Sequence, residues 1–331
     1  MRHDSSTNER VADILAVTDG RAGNVAMALG VAEAVSRKTG FTASRIDVKL
    51  PRVLNKVPPR LLASMPPRMI LSLAGISFGD GASLIIGAGR RSAAIVAALR
   101  KSVDVPCIQI LDSKVATDRF DLVIAPRHDR LKGANVISTE GSVHRVTPAL
   151  VTSYAASWKK RIERRTGGGQ PRVAVLVGGN NNRYAFEESF AEPLLNVLEA
   201  LSEQGASLAI TASRRTSADL SKAMHLMGQK SRFWAWDGQG ENPYFGMLGW
   251  ADGILATPDS INMLSEAASI GKPLLIIGGT ASSKKHAAFV RGLCDSGVAR
   301  IAKAPLSFDW QPRTTLAETS RVADIIIDRL F

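Results

Sequence analysis

Residues 253–277, GILATPDSINMLSEAASIGKPLLII, read as a strand, a helix and a second strand in immediate succession. Gly253–Ala256 is a short apolar run and Asn262–Ser269 has helical spacing. Gly271 then stops the helix, and Pro273 opens the next apolar run, Pro273–Ile277. This is a βαβ unit, the building block of a parallel sheet. Asp259, Asn262, Glu266 and Ser269 recur at helical spacing as a polar stripe, while Ile261, Leu264 and Ala268 supply the packed face. Ser260 stands at the helix N-terminus, where unpaired N–H groups favour a phosphate. Glu266, two turns in, is placed to accept two hydroxyls of a ribose. A merely solvated face more usually carries Lys and Glu.

The same rhythm extends in both directions. Upstream strands are expected at Asp13–Val17, Ser44–Val48, Ser83–Ile86, Val105–Leu111 and Leu122–Ala125, with helices at Val25–Arg37, Ser92–Arg100 and Pro148–Arg164. Further strands fit Val173–Val177, Ser207–Thr211 and Phe233–Trp236. Helices fit Phe186–Ser202, Ser217–Met227, His286–Ser296 and Leu316–Leu330. Between the halves lies KKRIERRTGGGQP (159–171), a basic helix end running into three glycines and a proline, which reads as a hinge. The expectation is an α/β protein of two Rossmann-like, doubly wound parallel-sheet domains, residues 1–165 and 171–312, facing a cleft. A last segment, 313–331, follows. In such sheets ligands bind outside the carboxyl ends of the strands.

A chain of 331 residues with 45% hydrophobic content can fill two cores. Two cysteines cannot form a secreted disulfide framework and fit a reducing compartment. The first ten residues are polar, and no run approaches the roughly 18 apolar residues of a membrane span. The expected location is therefore cytoplasmic. Net charge is +12, with 26 Lys and Arg against 14 Asp and Glu in residues 1–165 and 16 against 16 in 166–331. The excess in the first half points to an anionic partner, namely a membrane surface, a nucleic acid or an acidic substrate. No nucleic-acid module accompanies it, so nucleic acid is not expected. Residues 45–68 interleave Arg45, Lys49, Arg52, Lys56, Arg60 and Arg68 with leucines and prolines. Exposed, this segment would lie on an anionic membrane surface, peripheral at its inner face; packed, it would be a connector.

The chemistry-bearing loops follow the strands. Gly20 and Gly23 in TDGRAGN (18–24) allow a tight turn into a helix N-terminus, with Asp19 and Asn24 beside them. Gly87, Gly89, Arg90 and Arg91 nearly match a dinucleotide fingerprint, with Ser92 at the third glycine position and Asp112 after the next strand. This keeps an NAD(P)-dependent enzyme as a low-ranking reading. The arginines could equally receive a phosphate or stay solvated. Gly178, Gly179, Asn180 and Asn181 offer close backbone approach and amide donors. Ser213, Arg214 and Arg215 suggest an anion at the end of the neighbouring strand. Trp236 with Glu241, Asn242, Pro243 and Tyr244 forms the densest aromatic and polar cluster, suited to a base or sugar ring.

These residues carry a likeness. TDGRAGN (18–24), IGAGRR (86–91), TASRR (211–215), GENPYFG (240–246) and TPDSINMLSEAASIGKP (257–273) resemble the elongated-mitochondria (mitochondrial fission) family of GT-B-like proteins. More distantly, the glycine loops at 20–23 and 178–179 and the Ser-Glu-Ala-Ala helix at 265–268 are similar to the lipid-linked N-acetylglucosaminyltransferase of peptidoglycan synthesis. That resemblance implies a GT-B fold with a nucleotide-sugar donor on the C-terminal domain, Glu266 at the ribose and Ser260 at the diphosphate. It also implies that the last helix returns to the first domain. Where the peptidoglycan enzyme has a histidine this chain has Asn24, which cannot act as a base; Asp19 and Asp112 are the substitutes. Members of the family have also been labelled sugar epimerases. The Tyr-x-x-x-Lys motif of such enzymes is absent, since Trp158, Glu188 and Leu248 stand four residues after Tyr154, Tyr184 and Tyr244. There is no Asp-x-Asp pair, and His3, His128, His144, His225 and His286 lack metal-ligand spacing. The reading is a glycosyltransferase without metal or cofactor, moving a sugar from a nucleotide-sugar donor to an anionic or lipid-linked acceptor. The alternative is a non-catalytic, membrane-associated nucleotide-binding adaptor.

Overall fold

A computed structural model describes residues 13–76, 81–179, 186–228, 233–277 and 283–331. The chain divides into two compact units, Met1–Arg145 with Glu318–Phe331, and Val146–Ala317. Unit 1 opens with β1 (Ile14–Thr18), α1 (Ala22–Thr39), β2 (Ala43–Asp47), α2 (Pro59–Leu62) and α3 (Pro67–Leu73). It continues with β3 (Leu84–Ala88), α4 (Arg90–Ser102), β4 (Cys107–Ile110), β5 (Leu122–Pro126) and β6 (Val136–Thr139). Unit 2 holds α5 (Pro148–Thr166), β7 (Arg172–Val177), α6 (Phe186–Glu203), β8 (Ser207–Ala212), α7 (Ala218–Met227) and β9 (Phe233–Ala235). It goes on through α8 (Tyr244–Trp250), β10 (Gly253–Ala256), α9 (Ile261–Ala268), β11 (Leu274–Ile277), α10 (Lys284–Asp295) and β12 (Arg300–Ala302). The final helix, α11 (Glu318–Leu330), belongs to unit 1.

Each unit is built on a six-stranded sheet, ordered β2-β1-β3-β4-β5-β6 in unit 1 and β12-β11-β10-β7-β8-β9 in unit 2. Every pairing is parallel. Period-two alternation feeds both faces. Ile14 and Ala16 join the core beneath α1 and α11, while Leu15 and Val17 join the core beneath α4. In unit 2, Ile254 and Ala256 pack with Trp158 and Leu264, and Leu255 with Leu198 and Leu220. Strand order reverses between β1 and β3 and between β7 and β10, so each sheet has a topological switch point there.

The expected hinge at 159–171 is a helix stop inside unit 2. Gly167 ends α5 in the left-handed conformation, φ 75°, with its N–H on Glu163 O at 3.0 Å. Ser207 Oγ on β8 donates to Thr166 O at 3.1 Å, tying that stop to the sheet. The division falls instead at Arg145–Val146. Beside it Val143, His144 and Val146 are buried, and Thr319 Oγ1 of α11 accepts from the His144 N–H at 2.9 Å. The boundary at 165 is thereby corrected, and the charge division moves with it. Unit 1 carries 23 Lys and Arg against 16 Asp and Glu, and unit 2 carries 19 against 14. Both cysteines are free; burial pushes the Cys107 thiol up to about 12.

Helix α5 stays in unit 2 because α8 packs tightly on it. Gly246 and Gly249 let the two helices approach: a β-carbon at 249 would lie 2.0 Å from Val151 O, and one at 246 would lie 2.4 Å from the Trp158 ring. Trp158 stacks on Trp234 with ring centroids 6.3 Å apart, and the Arg161 guanidinium lies 3.6 Å over Trp158. Lys272 Nζ donates to Leu248 O, Gly249 O and Ala251 O at 2.6–2.8 Å, closing the C-terminal end of α8. Gly249→Ala is expected to cost about 2 kcal/mol or more through overpacking. Gly292→Ala, in α10 with nothing within 4 Å of the added carbon, should gain about 0.5–1 kcal/mol. Urea unfolding of both variants checks the pair.

Candidate functional site

The crevice beside β7 and β10 in unit 2 is assembled by one buried carboxylate. Asp259, whose side chain is 0% exposed, accepts the Gly179 N–H at 3.0 Å and the Thr257 hydroxyl at 2.6 Å. Thr257 Oγ1 in turn accepts the Gly178 N–H at 2.8 Å. Thr216 Oγ1, beyond β8, donates to Gly178 O at 2.5 Å, and the Arg215 guanidinium lies 3.9 Å from Asp259. The glycines are required by this packing. A β-carbon on Gly178 would lie 2.0 Å from the Asp259 carboxylate, and one on Gly179 would lie 2.2 Å from the Arg215 carbonyl carbon. Asp259 is therefore a positioning residue, and the expectation that it faces a ligand as part of a polar stripe is corrected.

Four groups of this crevice stay within reach of solvent, Ser260, Arg214, Arg215 and Asn262. Ser260 caps α9, accepting the Met263 N–H at 3.4 Å, and so sits beside the helix's positive end. Arg215 is about half exposed, and Arg214 and Asn262 are exposed. Ser213 turns the loop, its Oγ accepting the Arg215 N–H at 3.1 Å. Glu266 lies about 9 Å along the helix from Ser260, by the rise of 1.5 Å per residue. The Tyr244 hydroxyl donates to Glu266 Oε2. Burial pushes the Glu266 carboxyl up to about 7, against the pull of that hydrogen bond. Burial and the Glu266 charge together raise the Tyr244 phenol.

The aromatic segment serves α8 more than a ligand. Asn242 Oδ1 accepts the Tyr244 N–H at 3.0 Å, Pro243 precedes the first turn, and Glu241 pairs with Arg161 at 2.8 Å. Trp236 Nε1 donates to Gln239 O at 3.0 Å, and Trp234 is taken up by Trp158. Asn180 and Asn181 lie outside the described residues. His286, which lacks metal-ligand spacing in the sequence, lies in the first turn of α10 with Nδ1 2.8 Å from Ser283 Oγ. Burial, then Lys285, hold its imidazole below the usual range, while Asp259 pulls the other way. A Ser three residues before a His at a helix start was the available signal.

The switch-point loops of unit 1 are spent on one another. The Asp19 carboxylate, 2% exposed, accepts Asn24 Nδ2 at 2.9 Å and the Arg21 N–H at 3.2 Å. Asn24 fills the space that a side chain at Gly89, φ +89°, would need. Gly20, φ +74°, makes the turn, while Gly23 lies in the first turn of α1. Gly87 is a packing glycine: a β-carbon there would lie 2.5 Å from Val96 Cγ2. Arg90 is exposed and Arg91 half-buried at the start of α4. Burial opposes ionisation of Asp112, but bonds from Lys114 outweigh it and hold the carboxyl below its usual range. Asp19 and Asp112 are thus both engaged by neighbouring groups of their own loops.

Among the described residues no group of His, Cys, Asp and Glu could hold a metal, and no helix is long and apolar enough to cross a membrane. The family model for mitochondrial fission ELM1 matches residues 22–330. The Arabidopsis thaliana mitochondrial fission protein ELM1 is 30% identical over 67% of this chain; the chain spans 57% of that relative's length. UDP-GlcNAc 2-epimerase from Neisseria meningitidis, solved with UDP-GlcNAc, superposes with a TM-score of 0.54 at 14% identity, covering 96% of this chain and 99% of that one. A glycosyltransferase from Rickettsia africae gives 0.52 at 10% identity, covering 96% and 89%. The fold is therefore of the GT-B kind. An epimerase shares it, so the missing Tyr-x-x-x-Lys excludes only Tyr-Lys epimerase chemistry.

The Glu266 carboxyl gives a pH prediction. An unfolded glutamate loses its proton near 4.5, the folded one near 7. Between these values the folded state holds more protons, so stability falls as pH rises through that window. Glu266→Gln should flatten that slope, and Tyr244→Phe should raise the carboxyl further by removing the bond that lowers it. Chemical denaturation across pH and carboxyl NMR titration check both.

Proposed function

The chain belongs to the mitochondrial fission ELM1 family, and we propose that it is a metal-independent glycosyltransferase whose unit 2 binds a nucleotide sugar. The observation that carries the reading is the α9 arrangement. Ser260, Arg215 and the helix N-terminus offer donors and positive charge for a diphosphate, with Glu266 about 9 Å along the helix at the distance of a ribose. Arg215 and the helix dipole supply the charge stabilisation that a Mg²⁺ ion would otherwise give the leaving diphosphate. Trp236, Asn262 and Tyr244 border the same elements. Enzymes and binding proteins alike need such a crevice, so the likeness to nucleotide-sugar enzymes supports the class and leaves the donor base open. The acceptor, anionic or lipid-linked, would meet unit 1, with segment 45–68 on an anionic membrane surface at its inner, cytoplasmic face.

The adaptor reading is favoured by one observation. Asn24, Asp19 and Asp112 are held by loop contacts, so none of these three is left unpaired to act as a general base. An adaptor binds nucleotide tightly and neither hydrolyses the donor nor transfers its sugar. The NAD(P) reading ranks lower, because the third glycine position of its fingerprint holds Ser92.

In a thermal-shift panel of UDP-, GDP-, ADP- and CMP-sugars beside NAD(P), one nucleotide sugar should raise Tm by about 5 °C at saturation. EDTA should leave that shift intact. Glu266→Ala should abolish it; an unchanged shift in that variant would overturn the donor assignment. Because a ribose hydroxyl donates best to a carboxylate, affinity should rise with pH through about 7.

A further inference from the structure

Segment 49–76 is the most unevenly constructed surface of unit 1. A turn at Arg52–Lys56 and the two short helices α2 and α3, each opened by proline, are pinned through Leu62 and Ile70 to the core that contains α4. What remains outside is apolar and basic together. Val53 is 78% exposed, Leu61 53%, Met69 49% and Leu73 37%. Met69 and Leu73, four apart on α3, share one helix face. Interleaved with them, Lys49, Arg52, Lys56, Arg60 and Arg68 are all exposed. No acidic residue occurs from Val48 to Gly79. Among the described residues Arg52, Lys56, Arg60 and Arg68 form no ion pair.

A solubilising surface mixes both signs and hides its leucines. A protein partner's hot spot carries aromatic anchors, and this segment has none among its exposed apolar side chains. Short helices with leucine-class side chains at the surface and lysines and arginines between them match the boundary of an anionic bilayer. There the apolar tips enter the acyl region and the cations stay at the headgroups. We propose that Val53, Leu61, Met69 and Leu73 insert shallowly into an anionic membrane, held by Arg52, Lys56, Arg60 and Arg68. This rests on the reading of unit 1 as the acceptor side and extends it to α3, beyond the segment ending at Arg68.

The test is co-flotation of the full chain, without nucleotide, with vesicles of phosphatidylcholine alone or mixed with phosphatidylglycerol. Binding is expected only to the mixed vesicles, falling as salt rises. Replacing Arg52, Lys56, Arg60 and Arg68 by Gln should weaken partitioning roughly five-fold per charge. Leu61→Asp with Met69→Asp should abolish it, while Leu226→Asp, an equally exposed leucine in unit 2, should bind like the unaltered chain. Circular dichroism melting establishes that the variants fold. Equal binding to both vesicle types, or unaltered binding by the segment variants, overturns the proposal. So does self-association that the Leu61 and Met69 changes abolish in the absence of vesicle binding, since the face would then meet a second copy. Nucleotide stabilisation of the same samples reads the donor site separately, so loss of one does not obscure the other.

Discussion

A carboxylate buried without partners costs several kcal/mol, so Asp259 can exist where it does only if every neighbour donates to it. The Gly179 N–H and the Thr257 hydroxyl do so, with Arg215 at 3.9 Å. Those bonds bring the ends of β7 and β10 together, and Thr216 adds the loop after β8. The rest of the unit 2 crevice depends on that convergence. It forces glycine at 178 and 179, and it fixes where Ser260 begins α9. It thereby also fixes how far Glu266 stands from the helix's positive end. A residue that looks like a ligand contact in the sequence is the tie that positions the true candidates.

What was legible follows burial. Central parallel strands are covered on both faces, so ILAV, LII, VAVLV and LLII announce themselves as apolar runs, and the α/β class with its switch-point loops was readable from them. The missed strands are edges. VIST of β6 and RIA of β12 are half-exposed and carry no such run. Helix α8 was missed because YFGMLGW reads as an aromatic loop, and its glycines as turns; they exist for contact with α5. The unit boundary was invisible for a similar reason. Its passage through Val143–Val146 is buried and hydrogen-bonded, without the glycine and proline that mark linkers, whereas the conspicuous Gly-Gly-Gly is a helix stop.

Charge changes meaning with the boundary. Lys159, Lys160, Arg161, Arg164 and Arg165 belong to α5, so the excess is shared between the units instead of confined to the first. Part of that α5 charge is structural. Arg161 lies over Trp158 and pairs with Glu241, and Arg165 lies over Trp234. Total charge therefore says little about the acceptor. The sharper signal is local: a stretch without acids whose cations stand beside exposed apolar side chains.

The two switch points start from the same geometry and diverge in what they leave uncommitted. In unit 1, Asp19 holds Asn24, Asn24 fills the space over Gly89, and Gln109 Nε2 donates to Gly89 O at 3.0 Å. The loops close on themselves, and the acids that could act as bases are consumed in closing them. In unit 2 the closure is made by Asp259, whose side chain is fully buried, which leaves Ser260 and Arg215 within reach of solvent and the Glu266 carboxyl buried against Tyr244. Recognition of a diphosphate and ribose needs donors and one carboxylate held in place, and unit 2 has them. Proton abstraction needs a carboxylate or imidazole that is held yet unpaired, and unit 1 offers none among its switch-point residues. A transferase built on this frame would therefore draw its base from outside these unit 1 loop residues, and the His286 imidazole, held below its usual range near Asp259, is one such group in unit 2.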